Sequence, residues 1–318
     1  AADARRAARG LGARGRGCAV LALACVAVLF SPLSDVFAVG KRVLVTGAGG
    51  RTGSLVVEKL MNAGTFDVRA LVRSEKSKAA LLEKVPILNP KFVFVGDVED
   101  PDTLKKCFAG CVALICVTSA VPKLKVWSLF PFLLGKLFGK KWKLKFSWKG
   151  GKPEQVDWLG QKNQFDQAKA SKVKQVVLVS TMTGTQTDSF LNSIGEGGGD
   201  KIVMWKRKAE VYLIDQSKGS DMEYTIIHPG GLGDKPAGTE PVAVGVDDKL
   251  REIKPNRRIN RADVAEVCVQ SLSCDAAKNR SFDITGLDDG KVLAKDGLED
   301  LLSSLEGANC DYSINPPP

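Results

Sequence analysis

Gly47, Gly50 and Gly53 stand in GxxGxxG spacing within VLVTGAGGRTGSLVVEKL. Glycine at these intervals lets a backbone turn tightly, approach a pyrophosphate and pack a helix closely against the strand before it. The start of that helix then offers free N–H groups to phosphate oxygens. The chemistry implied is dinucleotide binding. Where an NAD site usually carries a carboxylate about 20 residues further on, this chain reads Arg73-Ser74-Glu75-Lys76, with Lys78 beyond. Arg73 can lie flat over adenine and pair with a 2′-phosphate, which predicts NADP(H) as the cofactor, with NAD(H) second.

A glycine turn needs a strand before it and a helix after it. KRVLVT supplies the strand. TGSLVVEKLMNAG supplies the helix, with Leu55, Val56, Leu60 and Met61 on one face and Gly64 closing it. Further strands are expected at DVRALVRS, KFVFVGD, VALICVTSA, KQVVLVSTMTG, EYTIIHPGGL and SFDITG, with helix-length segments between them; Asn260 is placed to cap the helix NRADVAEVCVQSL. Continuously apolar strands alternating with helices imply a parallel sheet covered on both faces, a doubly wound α/β fold in one domain over residues 41–318.

The formal net charge of +10 is unevenly spread. Residues 123–152 hold nine lysines and no acid, and residues 1–17 hold five arginines against one aspartate, so the remaining body is slightly acidic. The basicity therefore belongs to two appendages. The eight cysteines include no CxxC pair, lie in apolar stretches and read as buried thiols, and no metal site is expected.

Taken together, TGAGGRTG, LVRS, VGDVEDPDTL, SAVPK, PEQVDWLGQKNQFDQAK, VVLVSTM, WKRKAEVYL, YTIIHPGGL and RADVAEVC resemble the NmrA-like branch of atypical short-chain dehydrogenases/reductases, especially plastid NAD(P)-binding proteins of plants and algae. The resemblance spans about residues 41–290, the basic strip excepted, and implies a Rossmann-type fold. It implies that Gly47, Gly50, Arg51, Thr52 and Gly53 wrap the pyrophosphate and that Arg73 and Ser74 take the 2′-phosphate. Asp97 and Val98 would edge the adenine, Thr118 and Ser119 would border the nicotinamide ribose, Lys206 would bond that ribose, and Pro229 with Gly230 would flank the nicotinamide. Carbonyl reduction in that superfamily generally uses a tyrosine four residues before the lysine; here the position is Ile202, which has no proton to give. Lys206 and Ser180 are the remaining catalytic candidates, and whether the chain turns over a substrate is left open. His228 reads as structural.

Two appendages complete the reading. Residues 1–40 combine an arginine-rich start with an apolar run from Cys18 and read as a targeting segment or a membrane anchor. Residues 123–152 form an insertion in which Trp127, Phe130, Trp142, Trp148 and neighbouring lysines suit an anionic membrane surface or a membrane-protein complex. A lid over an apolar substrate such as a quinone is compatible with this. Nucleic acid is not expected, because it has no use for a contiguous leucine-phenylalanine block. The expected setting is a plastid, on the stromal side of the thylakoid, with the mitochondrial inner membrane as alternative. The expected role is an NADP(H)-binding reductase-like protein attached to a membrane, or a catalytically silent nucleotide-binding or assembly subunit of a photosynthetic or respiratory complex.

Overall fold

Val43, Leu44 and Val45 expose no surface, yet their side chains go to opposite faces of one sheet, as the two-residue period of a strand requires. The computed structural model describes residues 41–138, 145–195, 199–253 and 258–317. The targeting or anchor segment expected over residues 1–40, and Trp142 in the basic strip, lie outside them.

In chain order the elements begin with β1 (Lys41–Thr46), α1 (Arg51–Ala63), β2 (Phe66–Val72), α2 (Glu75–Lys84), β3 (Val93–Val95), α3 (Pro101–Phe108), β4 (Ala113–Cys116), β5 (Val121–Leu124), α4 (Leu129–Leu137) and β6 (Phe146–Lys149). They continue with a π-helical turn (Glu154–Leu159) running into α5 (Gly160–Ala170), then β7 (Gln175–Val179), α6 (Ile202–Ser217), β8 (Glu223–Pro229), β9 (Gly231–Gly233), β10 (Pro241–Gly245) and α7 (Leu250–Ile253). The last are β11 (Arg258–Asn260), α8 (Arg261–Gln270), β12 (Arg280–Gly286), β13 (Lys291–Val292) and α9 (Leu298–Ser303).

Among the described residues nine strands form the main sheet, in the order β13-β10-β12-β8-β7-β4-β1-β2-β3. From β3 to β12 every neighbouring pair is parallel; β10 is antiparallel to β12, and β13 to β10. On one face Val43 and Val45 pack with Val56 and Leu60 of α1 and with Val264 and Cys268 of α8. On the other, Leu44 packs with Phe108 of α3, Phe165 of α5 and Leu213 of α6. This is the expected doubly wound sheet, and its strand order reverses direction at β1 and β4, opening a crevice at their carboxyl ends.

Local chemistry moved several boundaries. The third expected strand shrinks to Val93–Val95 because Pro90–Phe92 form a 3-10 turn, into which the Asn89 side chain accepts the Lys91 N–H at 3.0 Å. The run EYTIIHPGGL divides: after Pro229 the chain leaves the main sheet as β9 and pairs with β11. Asn260 does occupy the N-cap position of α8, but its side chain makes no capping bond and instead accepts the Lys235 N–H at 3.1 Å and donates to Glu240 at 3.0 Å.

The basic insertion is organised as a ribbon. β5 and β6 pair antiparallel, Val121 opposite Lys149 and Leu124 opposite Phe146, with α4 carried between them. The aromatic residues Phe146 and Trp148 thus lie on a short strand whose partner is Val121–Leu124.

Candidate functional site

The close packing of the first turn demands glycine at Gly47 and Gly53. Gly47 has φ +69° and lies so near β4 that a Cβ there would sit 2.6 Å from the Val117 carbonyl oxygen. A Cβ on Gly53 would sit 2.2 Å from the Gly47 carbonyl oxygen, so α1 can start this close to the turn only with glycine at that position. Gly50 is the N-cap of α1, and no side chain caps the helix and no acid stands in its first turn. Such an end suits an anion. Thr52 is buried at the start of α1, whereas Arg51 reaches outward to an exposed ion pair with Asp234, which also pairs with Arg261 at 2.6 Å.

The floor of the crevice is a polar stripe that the sequence reading passed over. Asp157, Gln161 and Gln164 follow one another at i, i+4 and i+7 and are all buried. Gln164 accepts the Thr46 hydroxyl at 2.6 Å from the end of β1 and donates to the Thr118 hydroxyl at 3.2 Å beyond the end of β4. Gln161 donates to the Thr118 carbonyl at 3.0 Å, while its own carbonyl oxygen is buried without a donor. Asp157 accepts the Ala120 N–H at 3.0 Å, and its other oxygen lies 2.8 Å from the Lys206 ammonium, a contact ion pair rather than a directed hydrogen bond. Polar residues at helical spacing normally mark the solvent face. Here PEQVDWLGQKNQF turns them inward, and the recurrence of three polar residues with amide or carboxylate ends at one helical spacing was the available signal.

Lys206 and Ser180 approach the crevice from α6 and from the end of β7. Lys206 is committed to Asp157 and Ser180 donates its hydroxyl proton to Glu210, one turn further along α6. Ile202, at the superfamily's tyrosine position, is buried with Ala120, Val156 and Val203. Behind Ser180, Glu210 lies 3.1 Å from His228 Nε2, and His228 Nδ1 lies 3.3 Å from Asp283 and 3.5 Å from Cys310. Burial alone would disfavour charge on both partners, but the His228 charge, its hydrogen bond and the Ser180 hydroxyl hold the Glu210 carboxyl below its ordinary range. Burial likewise opposes the imidazolium, while the Glu210 charge and bonds to Asp283, Cys310 and Glu210 raise His228 well above its ordinary value.

At the adenosine end, Ser74 caps α2, accepting the Ser77 N–H at 3.2 Å. Asp97 accepts the Glu99 N–H at 3.1 Å, and Val98 packs against Gly160 so closely that a Cβ there would be 2.6 Å from it. Arg73 donates to the carbonyl of Gly150, where the ribbon returns to the body. Pro229 ends β8, and its carbonyl accepts the Met182 N–H at 3.1 Å. The glycine turn, Thr118 and Lys206 therefore converge on the β1/β4 crevice, linked through the polar stripe, and Arg73, Ser74, Asp97 and Val98 stand beyond the ends of β2 and β3. The turn's close approach, the uncapped helix and the cationic side chains fit a dinucleotide.

On the insertion, Trp127 is 61% exposed, Phe130 71% and Phe138 70%, and the Lys145 ammonium lies 5.0 Å from the Trp127 ring centroid. Trp148 differs from them: it is half-buried, packs beside Ala120, Val156, Ile202 and Val203, and donates its indole N–H to Asp200 at 2.7 Å. It faces the body and not an external surface. No described helix is long and apolar enough to cross a membrane.

A Rossmann-like nucleotide-binding protein is what this sheet and crevice define. Residues 47–275 match the family model described as NAD(P)H-binding, and the chain belongs to that NmrA-like family. It is 46% identical over 250 residues to an uncharacterized chloroplastic protein of Arabidopsis thaliana, covering 78% of this chain and 70% of that protein. It is 41% identical over 274 residues to sanguinarine reductase of Eschscholzia californica, covering 83% of this chain and 95% of that one. Among solved structures an oxidoreductase from Lactococcus lactis superposes with a TM-score of 0.55 at 22% identity, covering 84% of this chain and 98% of that one, a likeness of fold alone.

Proposed function

We propose that this chain is an NADP(H)-dependent reductase of an apolar carbonyl or quinone-type substrate, working at the stromal surface of a plastid thylakoid membrane. The observation that carries the reading is the convergence of the uncapped, glycine-gated α1 with the buried Lys206–Asp157 pair on one crevice. The 41% identity to a reductase over nearly all of that protein's length supports the reaction class, and the chloroplastic relative supports the compartment.

NADPH, when bound, supplies the hydride. The chain's part is to hold the pyrophosphate on the first turn of α1, to seat Arg73 at the 2′-phosphate, and to fix the ribose side of the crevice through Thr118 and Lys206. With Ile202 unable to donate, the proton for the reduced oxygen comes from solvent, from the substrate itself or from Ser180, which then recovers its proton from solvent, since the Glu210 carboxylate that accepts its hydroxyl carries none to give. The exposed Trp127, Phe130 and Phe138 with Lys145 form the face that meets anionic lipid or an apolar protein neighbour.

The test is NADPH oxidation followed with a panel of quinones and apolar carbonyls, alongside a titration of NADPH and NADH binding. Turnover with at least one of them, and tighter binding of NADPH, are expected. A chain that ignores NADPH in the titration overturns the reading. A second reading has its own support: the sealing of Ile202 in an apolar cluster leaves the usual donor position without chemistry. In that reading the nucleotide is a structural or sensing ligand in a subunit of a membrane complex, since a bound ligand stabilises a fold whether or not hydride moves. Tight NADPH binding without turnover on any acceptor selects it.

A further inference from the structure

Three side chains that no local spacing relates meet behind Ser180. His228 lies on β8, Asp283 lies on β12, and Cys310 follows α9. All three are buried, and one ligand atom from each, His228 Nδ1, Asp283 Oδ1 and Cys310 Sγ, lies within 4.8 Å of the others. We propose that these three residues form a zinc site whose fourth position faces the adjoining small cavity.

The geometry is the first argument. Tetrahedral zinc takes nitrogen and oxygen at about 2.0 Å and sulfur at about 2.3 Å, so ligand atoms on its shell stand about 3.3 Å apart for an N–O edge and about 3.5 Å apart for an N–S edge. The observed edges are 3.3 Å from His228 to Asp283 and 3.5 Å from His228 to Cys310. The surroundings are the second. A zinc-binding histidine is normally oriented by a carboxylate on its other nitrogen, and ligating carboxylates are themselves hydrogen-bonded. Glu210 lies 3.1 Å from His228 Nε2, and the second oxygen of Asp283 accepts the Asp248 N–H at 2.7 Å. The third argument is charge. The cavity, about 10 Å³, is lined by four acidic residues, Glu210, Asp247, Asp248 and Asp283, against His228 and Arg207, whose guanidinium is turned to the carbonyls of Asp311, Ile314 and Asn315, with Lys249 3.7 Å from Asp247, so the acids still outnumber the cations. A dication suits such a surplus. The mixed N, O and S set favours zinc over magnesium or calcium, which take oxygen. The metal fastens the segment around Cys310 to the two strands.

The experiment uses the full chain, purified with its thiols reduced, and has two arms. Metal analysis should find about one zinc per chain, and cobalt(II) added to the metal-stripped protein should give a thiolate charge-transfer band with tetrahedral d–d absorption. Cys310→Ser should remove the thiolate band. Glu210→Gln, which leaves all three ligands in place, should weaken zinc binding by about 10–100-fold. Circular dichroism establishes that each variant is folded. Folded wild-type protein that gives no thiolate–cobalt band, or one whose band persists in folded Cys310→Ser, overturns the proposal.

Discussion

Replacing Lys206 by Met isolates the energetic role of the ion pair at the crevice. The Lys206 and Asp157 side chains are 7% and 0% exposed and 2.8 Å apart, so water cannot replace the lost partner. Breaking a buried pair by removing one charge costs about 3–5 kcal/mol, because the other charge stays desolvated and alone. At about 1.5–2 °C per kcal/mol for a domain that runs from Lys41 to Pro318, Lys206→Met should melt about 5–10 °C below wild type in a calorimetric scan. Asp157→Asn keeps an acceptor for the Ala120 N–H and loses the charge. The double variant should therefore be clearly more stable than the sum of the single losses predicts, with a coupling above about 1.5 kcal/mol. A Lys206→Met protein within about 1 kcal/mol of wild type, or single losses that simply add, would refute the reasoning that Lys206 is held by Asp157.

Other outcomes follow from the same geometry. Arg73→Ala should weaken NADPH binding by about 10–100-fold and leave NADH nearly unchanged, as loss of one charge-assisted contact to a 2′-phosphate requires; equal losses for both nucleotides in a fluorescence titration would contradict it. Gly53→Ala, which puts a methyl group 2.2 Å from the Gly47 carbonyl oxygen, should abolish detectable NADPH binding even where circular dichroism shows a folded chain. Trp127→Ala with Phe130→Ala should reduce co-sedimentation with anionic vesicles, and raised salt should reduce it for the unaltered chain; binding indifferent to both speaks against the docking face. Burial pushes the Cys107 thiol up to about 12 and Cys111 up to about 11 from an ordinary 9.0. The folded chain thus keeps protons that the unfolded chain gives up above pH 9, and stability should fall between about pH 9 and 11, by up to about 1.4 kcal/mol per pH unit for each thiol, in urea melts across that range.

Much of the fold was written in short-range patterns. The run from Lys41 to Gly64 carries its strand, its turn and its helix within a few residues of one another, and Gly47 and Gly53 are constrained by contacts that any first βα turn would make. What could not be read locally depends on pairings across the chain. Asp157, Gln161 and Gln164 look like a solvent face until α5 is laid on the ends of β1 and β4. Trp148 looks like an interfacial residue until β6 folds back beside β5 and turns its indole toward Asp200. The described segment after α9 forms neither helix nor strand, yet Arg207 gathers three of its carbonyls from more than a hundred residues away. The antiparallel β10 and β13 went unread because PVAVG is brief and KV briefer still, and each is a strand only through its neighbour.

The amide of Gln164 ties Thr46 to Thr118 at the tips of two neighbouring strands whose ladder runs to their last residues, and it is itself held by the Gly160 carbonyl at 2.8 Å. The width of the opening is thus set when the chain folds, before any guest arrives. Widening it for a bulkier molecule means altering the stitches that Gln161 and Gln164 make to Thr118, whereas lengthening the loops above would only deepen the approach.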